Sequence, residues 1–202
     1  MKKIILTLAA VCMMVCAQAQ SEVGHFSLTP QVGLTESMWS TSCNSGLHTP
    51  PQNTSTGFRA GIELQHQTTS VFAPSVGVFY NFQAGKSDDS DIKNLNIQTI
   101  DIPVMLNFYL GSARNWFVKA GFQYSVLSSA KIDGEDVKKA CDMKNLMYIP
   151  VGFGFCYGGW TANFLYHYGL NKAIEDGASL YWSNWDVRAD YFTVTLGYRF
   201  DL

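Results

Sequence analysis

The sequence predicts an all-β fold, a transmembrane up-and-down antiparallel β-barrel of about eight strands. Three observations carry this. The hydrophobic pattern repeats every two residues over most of the chain, which is the period of a strand and not of a helix. The segments with this period are roughly ten residues long, the length that crosses a bilayer when tilted. The gaps between them alternate long and short, as they do where a barrel has tight turns on one side and loops on the other.

Composition agrees. Of 202 residues 47% are hydrophobic, 14% aromatic and 15% charged, with a formal net charge of -2. The charged share lies well below the roughly 25% of ordinary soluble domains, which argues against disorder, a coiled coil or a basic nucleic-acid-binding module.

The first element is a leader. Lys2 and Lys3 precede an apolar run from Ile4 to Cys16, and Ala17-Gln18-Ala19 supplies the small residues of a signal peptidase site, so residues 1–19 read as a signal peptide and 20–202 as the barrel domain. Cys12 and Cys16 each follow Val, where lipidation requires a small residue. Removing the leader leaves 183 residues with 12 basic and 16 acidic groups, a net charge of −4, and three cysteines. The most apolar remaining stretch, Met147 to Trp160, is too short for a membrane helix and contains four Gly and a Pro.

The strands follow in order. In Gly24 to Thr35, Phe26, Leu28, Pro30, Val32 and Leu34 oppose Ser27, Thr29, Gln31, Gly33 and Thr35; in Gly57 to Gln65, Phe58, Ala60, Ile62 and Leu64 oppose Arg59, Gly61 and Glu63. Ala73 to Gln83, Ile100 to Leu110, Val118 to Leu127 and Met147 to Tyr157 alternate less strictly. Trp160 to Leu170 and Tyr191 to Leu202 complete the set, the last alternating without a break over twelve residues. Glu36 to Thr54, Ser128 to Lys144 and Asn171 to Asp190 are long connections, and Gly85 to Asn94 is intermediate. Gln67 to Ser70, Gly111 to Asn115 and the Gly158-Gly159 hairpin are short, which puts both termini on the short-turn side, expected to be the periplasm.

Which face is enclosed decides between a membrane barrel and a soluble lipocalin-like barrel that binds ligands. The polar face carries Gly33, Gly61, Gly77, Gly121, Gly152, Gly154, Gly169 and Gly197, which suit a crowded lumen. It also carries Arg59, Asp101, Glu63, Lys119, Arg199 and Asp201, three bases and three acids able to neutralise one another. The other face is rich in Phe and Tyr. The reading is therefore lipid outside and polar packing inside, with an eight-stranded interior plugged by its own side chains. Pro30, Pro74, Pro103 and Pro150 lack a ladder donor, and β-bulges are expected to accommodate them.

The segments TPQVGL (Thr29 to Leu34), IDIPVMLNFYL (Ile100 to Leu110), FVKAGFQYSVLSSAK (Phe117 to Lys131), YHYGLNK (Tyr166 to Lys172) and LGYRF (Leu196 to Phe200) resemble the PorT-like outer-membrane β-barrel family of Bacteroidetes. The resemblance spans the mature chain in order. It implies an exported outer-membrane barrel without cofactor, and, through one family member, a role in protein secretion.

Each candidate site also has a structural reading. The proposed lumen network is Arg59, Glu63, Asp101, Lys119, His167 and Arg199, with His167 read as a hydrogen-bonded structural group because no second His or Cys has metal spacing with it. His25 and Ser27 share inward parity and could pair as base and nucleophile, as in outer-membrane lipid A deacylases. Asp88-Asp89-Ser90-Asp91 lacks the Gly and Glu of a calcium loop and reads as a solvated tip. Cys43 and Cys141 fall in expected outer loops and are candidates for a disulfide, whereas Cys156 reads as a small buried residue. Tyr181, Trp182 and Trp185 in the last loop could recognise a glycan or protein.

The expected function is that of a small non-enzymatic outer-membrane protein, structural or interacting through its extracellular loops, in a secretion or surface-assembly system. Its partners would be membrane lipids and a protein at the cell surface or on the periplasmic side, with no nucleic acid. An outer-membrane lipid-modifying enzyme like the lipid A deacylases is the first alternative, and a soluble periplasmic lipocalin-like ligand-binding barrel is the second.

Overall fold

The computed structural model describes residues 23–43, 54–85, 95–111, 114–132, 135–136, 145–171 and 185–202. They form one antiparallel sheet of eight long strands and two two-residue strands: β1 (Phe26–Cys43), β2 (Thr54–His66), β3 (Phe72–Gly85), β4 (Leu95–Leu110), β5 (Trp116–Ile132), β6 (Glu135–Asp136), β7 (Leu146–Tyr157), β8 (Trp160–Gly169), β9 (Trp185–Tyr198) and β10 (Phe200–Asp201). Each long strand pairs with the next, and β1 pairs with β2 on one side and with β9 and β10 on the other, so the sheet closes into a barrel. No described helix is long and apolar enough to cross a membrane.

The registers fix the dimensions. Followed across their short gaps from Thr29 through Glu63, Gly77, Pro103, Gln123, Tyr148, Gly169 and Ala189, they return to β1 at Trp39, ten residues further along. With standard strand spacings, that stagger on eight strands sets a tilt of about 40° and a radius of about 8 Å. Side chains fill a barrel this narrow.

The polarity is apolar outside and polar inside. Val32, Leu34, Ile62, Val78, Val104 and Leu196 are exposed on the outer face, Leu34 at 66%, while Gln31, Arg59, Glu63, Asp101, Lys119 and Gln123 are buried. Outward residues stay apolar from Phe26 to Leu34 in β1, Ile100 to Leu110 in β4 and Trp116 to Val126 in β5. They then turn polar at Glu36, Gln98 and Ser128. A band of about ten residues at this tilt is about 25 Å tall, the height of a hydrocarbon core. Exposed Phe26, Phe108, Trp116, Tyr157 and Trp160 rim its turn side.

The inward glycines have a reason in the wall itself. A Cβ on Gly33 would collide with the Val194 carbonyl oxygen, and one on Gly121 with that of Val104. The neighbouring strand's backbone, as much as any lumen side chain, excludes a side chain there. At the Gly158-Gly159 turn both residues have positive φ, 56° and 84°, as a two-residue hairpin of this twist needs.

Three expectations are corrected. The strands are longer on the loop side than their apolar alternation indicates, since β1 reaches Cys43, β4 starts at Leu95 and β5 reaches Ile132. The C-terminal strand does not run unbroken through twelve residues; it divides at Arg199 into β9 and β10. The prolines are not housed in bulges. Pro103 and Pro150 fall where the β3–β4 and β5–β7 ladders skip two pairs and resume in the same register. Pro30 faces the gap between β9 and β10, and the β2–β3 ladder stops at Ser75, one residue short of Pro74. Each proline thus forgoes bonds on one side only, and the register shift recorded in the sheet lies elsewhere, between Gln98 and Thr99.

Candidate functional site in the lumen

Inward parity on β2, β4 and β5 brings four charges into the interior, in two layers. In the loop-side layer, Arg59 Nη1 donates to Asp101 Oδ2 at 2.6 Å and to the Tyr191 hydroxyl at 3.2 Å, and Nη2 donates to Gln123 Oε1 at 3.3 Å. Asp101 also accepts from Thr99 at 2.8 Å, and Gln123 Nε2 donates to Tyr191 at 2.6 Å and to Ser125 at 2.8 Å. The guanidinium carbon lies 4.4 Å from the centre of the Phe79 ring.

In the turn-side layer, Lys119 Nζ donates to both Glu63 oxygens, at 2.8 and 2.9 Å. Glu63 accepts further bonds from Gln31 at 2.7 Å and Ser75 at 2.6 Å. Gln31 accepts from Asn163 and Thr195, and Asn107 donates to Ser75 and to the Ala73 carbonyl. Each ion pair is desolvated but held by several hydrogen bonds, the condition under which a buried pair is tolerated. Below them Gln65 donates to Tyr109 at 2.9 Å, and Tyr109, Phe117, Ala73 and Cys156 form an apolar floor.

Of the six residues expected in one lumen network, five line the middle of this interior and the sixth lies toward its turn-side end. Arg59 with Asp101 and Glu63 with Lys119 form the two pairs. His167 is wholly buried beside the first, stacked on Tyr191 with ring centroids 4.1 Å apart, and its Nε2 lies 3.1 Å from Thr193 Oγ1. Arg199 lies between β9 and β10 on the turn side, its side chain largely buried, 3.7 Å from Asp201. Sequence reasoning passed over Gln123 and Tyr191, which hold Arg59, and Gln31 and Ser75, which hold Glu63. Their inward parity was the signal that could have found them.

Other candidates separate. His25 is exposed and precedes β1, so it does not share the buried face of Ser27. Ser27 Oγ has no hydrogen-bond partner among the described residues, so the two do not form a base–nucleophile pair. Cys43 closes β1 opposite Trp185, and both belong to strands and not to loops. Cys141, Tyr181, Trp182 and Asp88 to Asp91 lie outside the described residues. Cys156 is buried, with the Thr161 hydroxyl 3.6 Å from its sulfur. No group of three or more metal-binding side chains occurs among the described residues.

The fold recurs in solved structures. Neisserial surface protein A superposes with a TM-score of 0.52 at 12% identity, over 87% of this chain and 97% of that one. The attachment invasion locus protein Ail of Yersinia pestis (TM-score 0.50, 12% identity) covers 89% and 100% respectively. The outer membrane protein OprG of Pseudomonas aeruginosa (TM-score 0.50, 12% identity) covers 91% and 99%. At such identity the likeness shows the fold alone. No curated protein matches the sequence. The family model described as "Outer membrane protein beta-barrel domain" matches residues 4–200, and with the closed eight-stranded barrel it establishes that the chain belongs to that family.

Proposed function

We propose that this protein is a small non-enzymatic barrel of the outer membrane, PorT-like, exported by its N-terminal signal peptide, whose work is done on its loop side as part of a secretion or surface-assembly system. One observation carries the reading: the lumen is spent on self-neutralising packing, while the wall is extended beyond the apolar band. The β1–β9 ladder continues to Cys43 opposite Trp185, and the β4–β5 ladder to Leu95 opposite Ile132. These extensions form a collar that would carry the loops clear of the lipid, and those loops include Tyr181 and Trp182. The partners are lipid around the band and a protein at the cell surface or on the periplasmic side.

The test is a strain lacking the protein, complemented with wild type or with Tyr181→Ala/Trp182→Ala. The expected result is a fall in delivery of surface proteins without the barrel, rescue by wild type, and partial rescue by the variant at equal outer-membrane abundance. An unchanged surface proteome in the deletion strain overturns the proposal. So does a lipid-hydrolysing activity that both His25→Ala and Ser27→Ala abolish.

A further inference from the structure

Between the two ion pairs lies a cavity of about 20 Å³ whose wall includes Gln31, Arg59, Glu63, Lys119, His167 and Thr193. His167 is wholly buried on this wall, and while its Nε2 meets Thr193, its Nδ1 has no hydrogen-bond partner among the described residues. We infer that the cavity binds one water molecule, held by His167 Nδ1, which joins the Arg59–Asp101 layer to the Glu63–Lys119 layer in a single hydrogen-bonded plug.

Size, wall chemistry and the histidine agree on this ligand. A water needs about 10–15 Å³ of such space and two to four polar partners, so one fits and a second does not. Most of the wall is apolar, from Phe79, Pro103, Met105, Pro150 and Leu165, and its few polar groups mix donors, from the guanidinium, the ammonium and the threonine hydroxyls, with the carboxylate of Glu63 as acceptor. A bare anion would face that carboxylate, and a bare cation would face Arg59 and Lys119. A neutral molecule that both donates and accepts is compatible with charges of both signs and can complete His167 Nδ1, the atom on this wall that has no partner among the described residues. A neutral imidazole presents one donor and one acceptor nitrogen, and water completes Nδ1 in either tautomer.

The experiment uses the full chain in detergent micelles, labelled with ¹⁵N-histidine and with methyl-labelled threonine. Water is expected to give cross-relaxation peaks to the His167 ring and to the Thr193 and Thr195 methyls, with a residence time far longer than surface water. A crystal at near-atomic resolution should show a single peak within hydrogen-bond distance of His167 Nδ1. His167→Phe, which keeps the stack on Tyr191 but has no ring nitrogen, should lose both signals. A dry cavity in wild type overturns the inference whatever the variant does. So does an anomalous peak at the same place after a bromide soak.

Discussion

Arg59 on β2 donates to Asp101 on β4 across the intervening β3, 2.6 Å apart with both side chains almost wholly buried. The two residues cannot be treated as independent. Arg59→Met leaves Asp101 as an uncompensated buried charge, which costs about 3–5 kcal/mol where a buried pair is broken. Arg59→Met combined with Asp101→Leu removes both charges and should recover most of that loss. Urea unfolding in lipid vesicles, followed by tryptophan fluorescence, measures all three proteins. Equal destabilisation by the single and the double replacement would show that the pair is not coupled.

The outer face makes the opposite demand. Val104 is 53% exposed midway along the apolar stretch of β4, whereas Glu36 already lies past the end of that stretch in β1. Val104→Arg should cost about 2–4 kcal/mol in a bilayer, and Glu36→Arg about 0–1 kcal/mol, because the penalty falls with distance from the midplane. The comparison is made in vesicles by urea titration. Similar small costs at both positions would show that the band does not meet hydrocarbon.

Much of this was legible because strand parity needs only neighbouring residues. Phe192, Val194 and Leu196 against Thr193, Thr195 and Gly197 gave the two faces, and charge balance pointed to an enclosed set. What parity cannot supply is height around the barrel. Arg59 and Glu63 are two inward positions apart on one strand, yet they reach β4 and β5 respectively, a choice set by the ten-residue stagger. The strand ends were hidden for a related reason. Beyond the lipid the outward Gln98 and Ser128 are polar while the inward Ile97, Leu127 and Ala130 are apolar, so the alternation inverts while the ladder continues. Pro30 and Pro103 misled because a proline costs one ladder its bond without moving the register, which no local pattern shows.

Gly33 supplies a test of the wall. A Cβ at this position would meet the Val194 carbonyl and the Thr195 Cα, both backbone atoms that cannot rotate away. Gly33→Val should therefore force β1 from β9, at about 1–3 kcal/mol for the overpacking. Gly24→Val, at a turn-side position with positive φ and nothing within 4 Å, serves as a contrast in which backbone strain acts without a clash. Folding yield, read as the heat-modifiable band on a gel, should fall more for Gly33→Val. The reverse order would mean that strand contact at Gly33 is looser than the registers require.

Conductance distinguishes a plug from a conduit, and the two layers make the expectation specific. Wild-type protein in a planar bilayer should show no sustained ionic current, since a barrel of about 8 Å radius is filled by its own side chains. Glu63→Ala with Lys119→Ala removes one layer but leaves Arg59, Asp101, Gln123 and Tyr191 bonded across the lumen, so it too should stay closed. Adding Arg59→Ala and Asp101→Ala opens the second layer, and only that fourfold variant should pass current. The pairs cannot compensate by exchange. Lys119 sits opposite Asn107 while Asp101 sits opposite Ser125, six residues further along β5, too far for Lys119 to take over the aspartate. A stable open channel in wild type would contradict the plug and make the lumen charges the lining of a conduit.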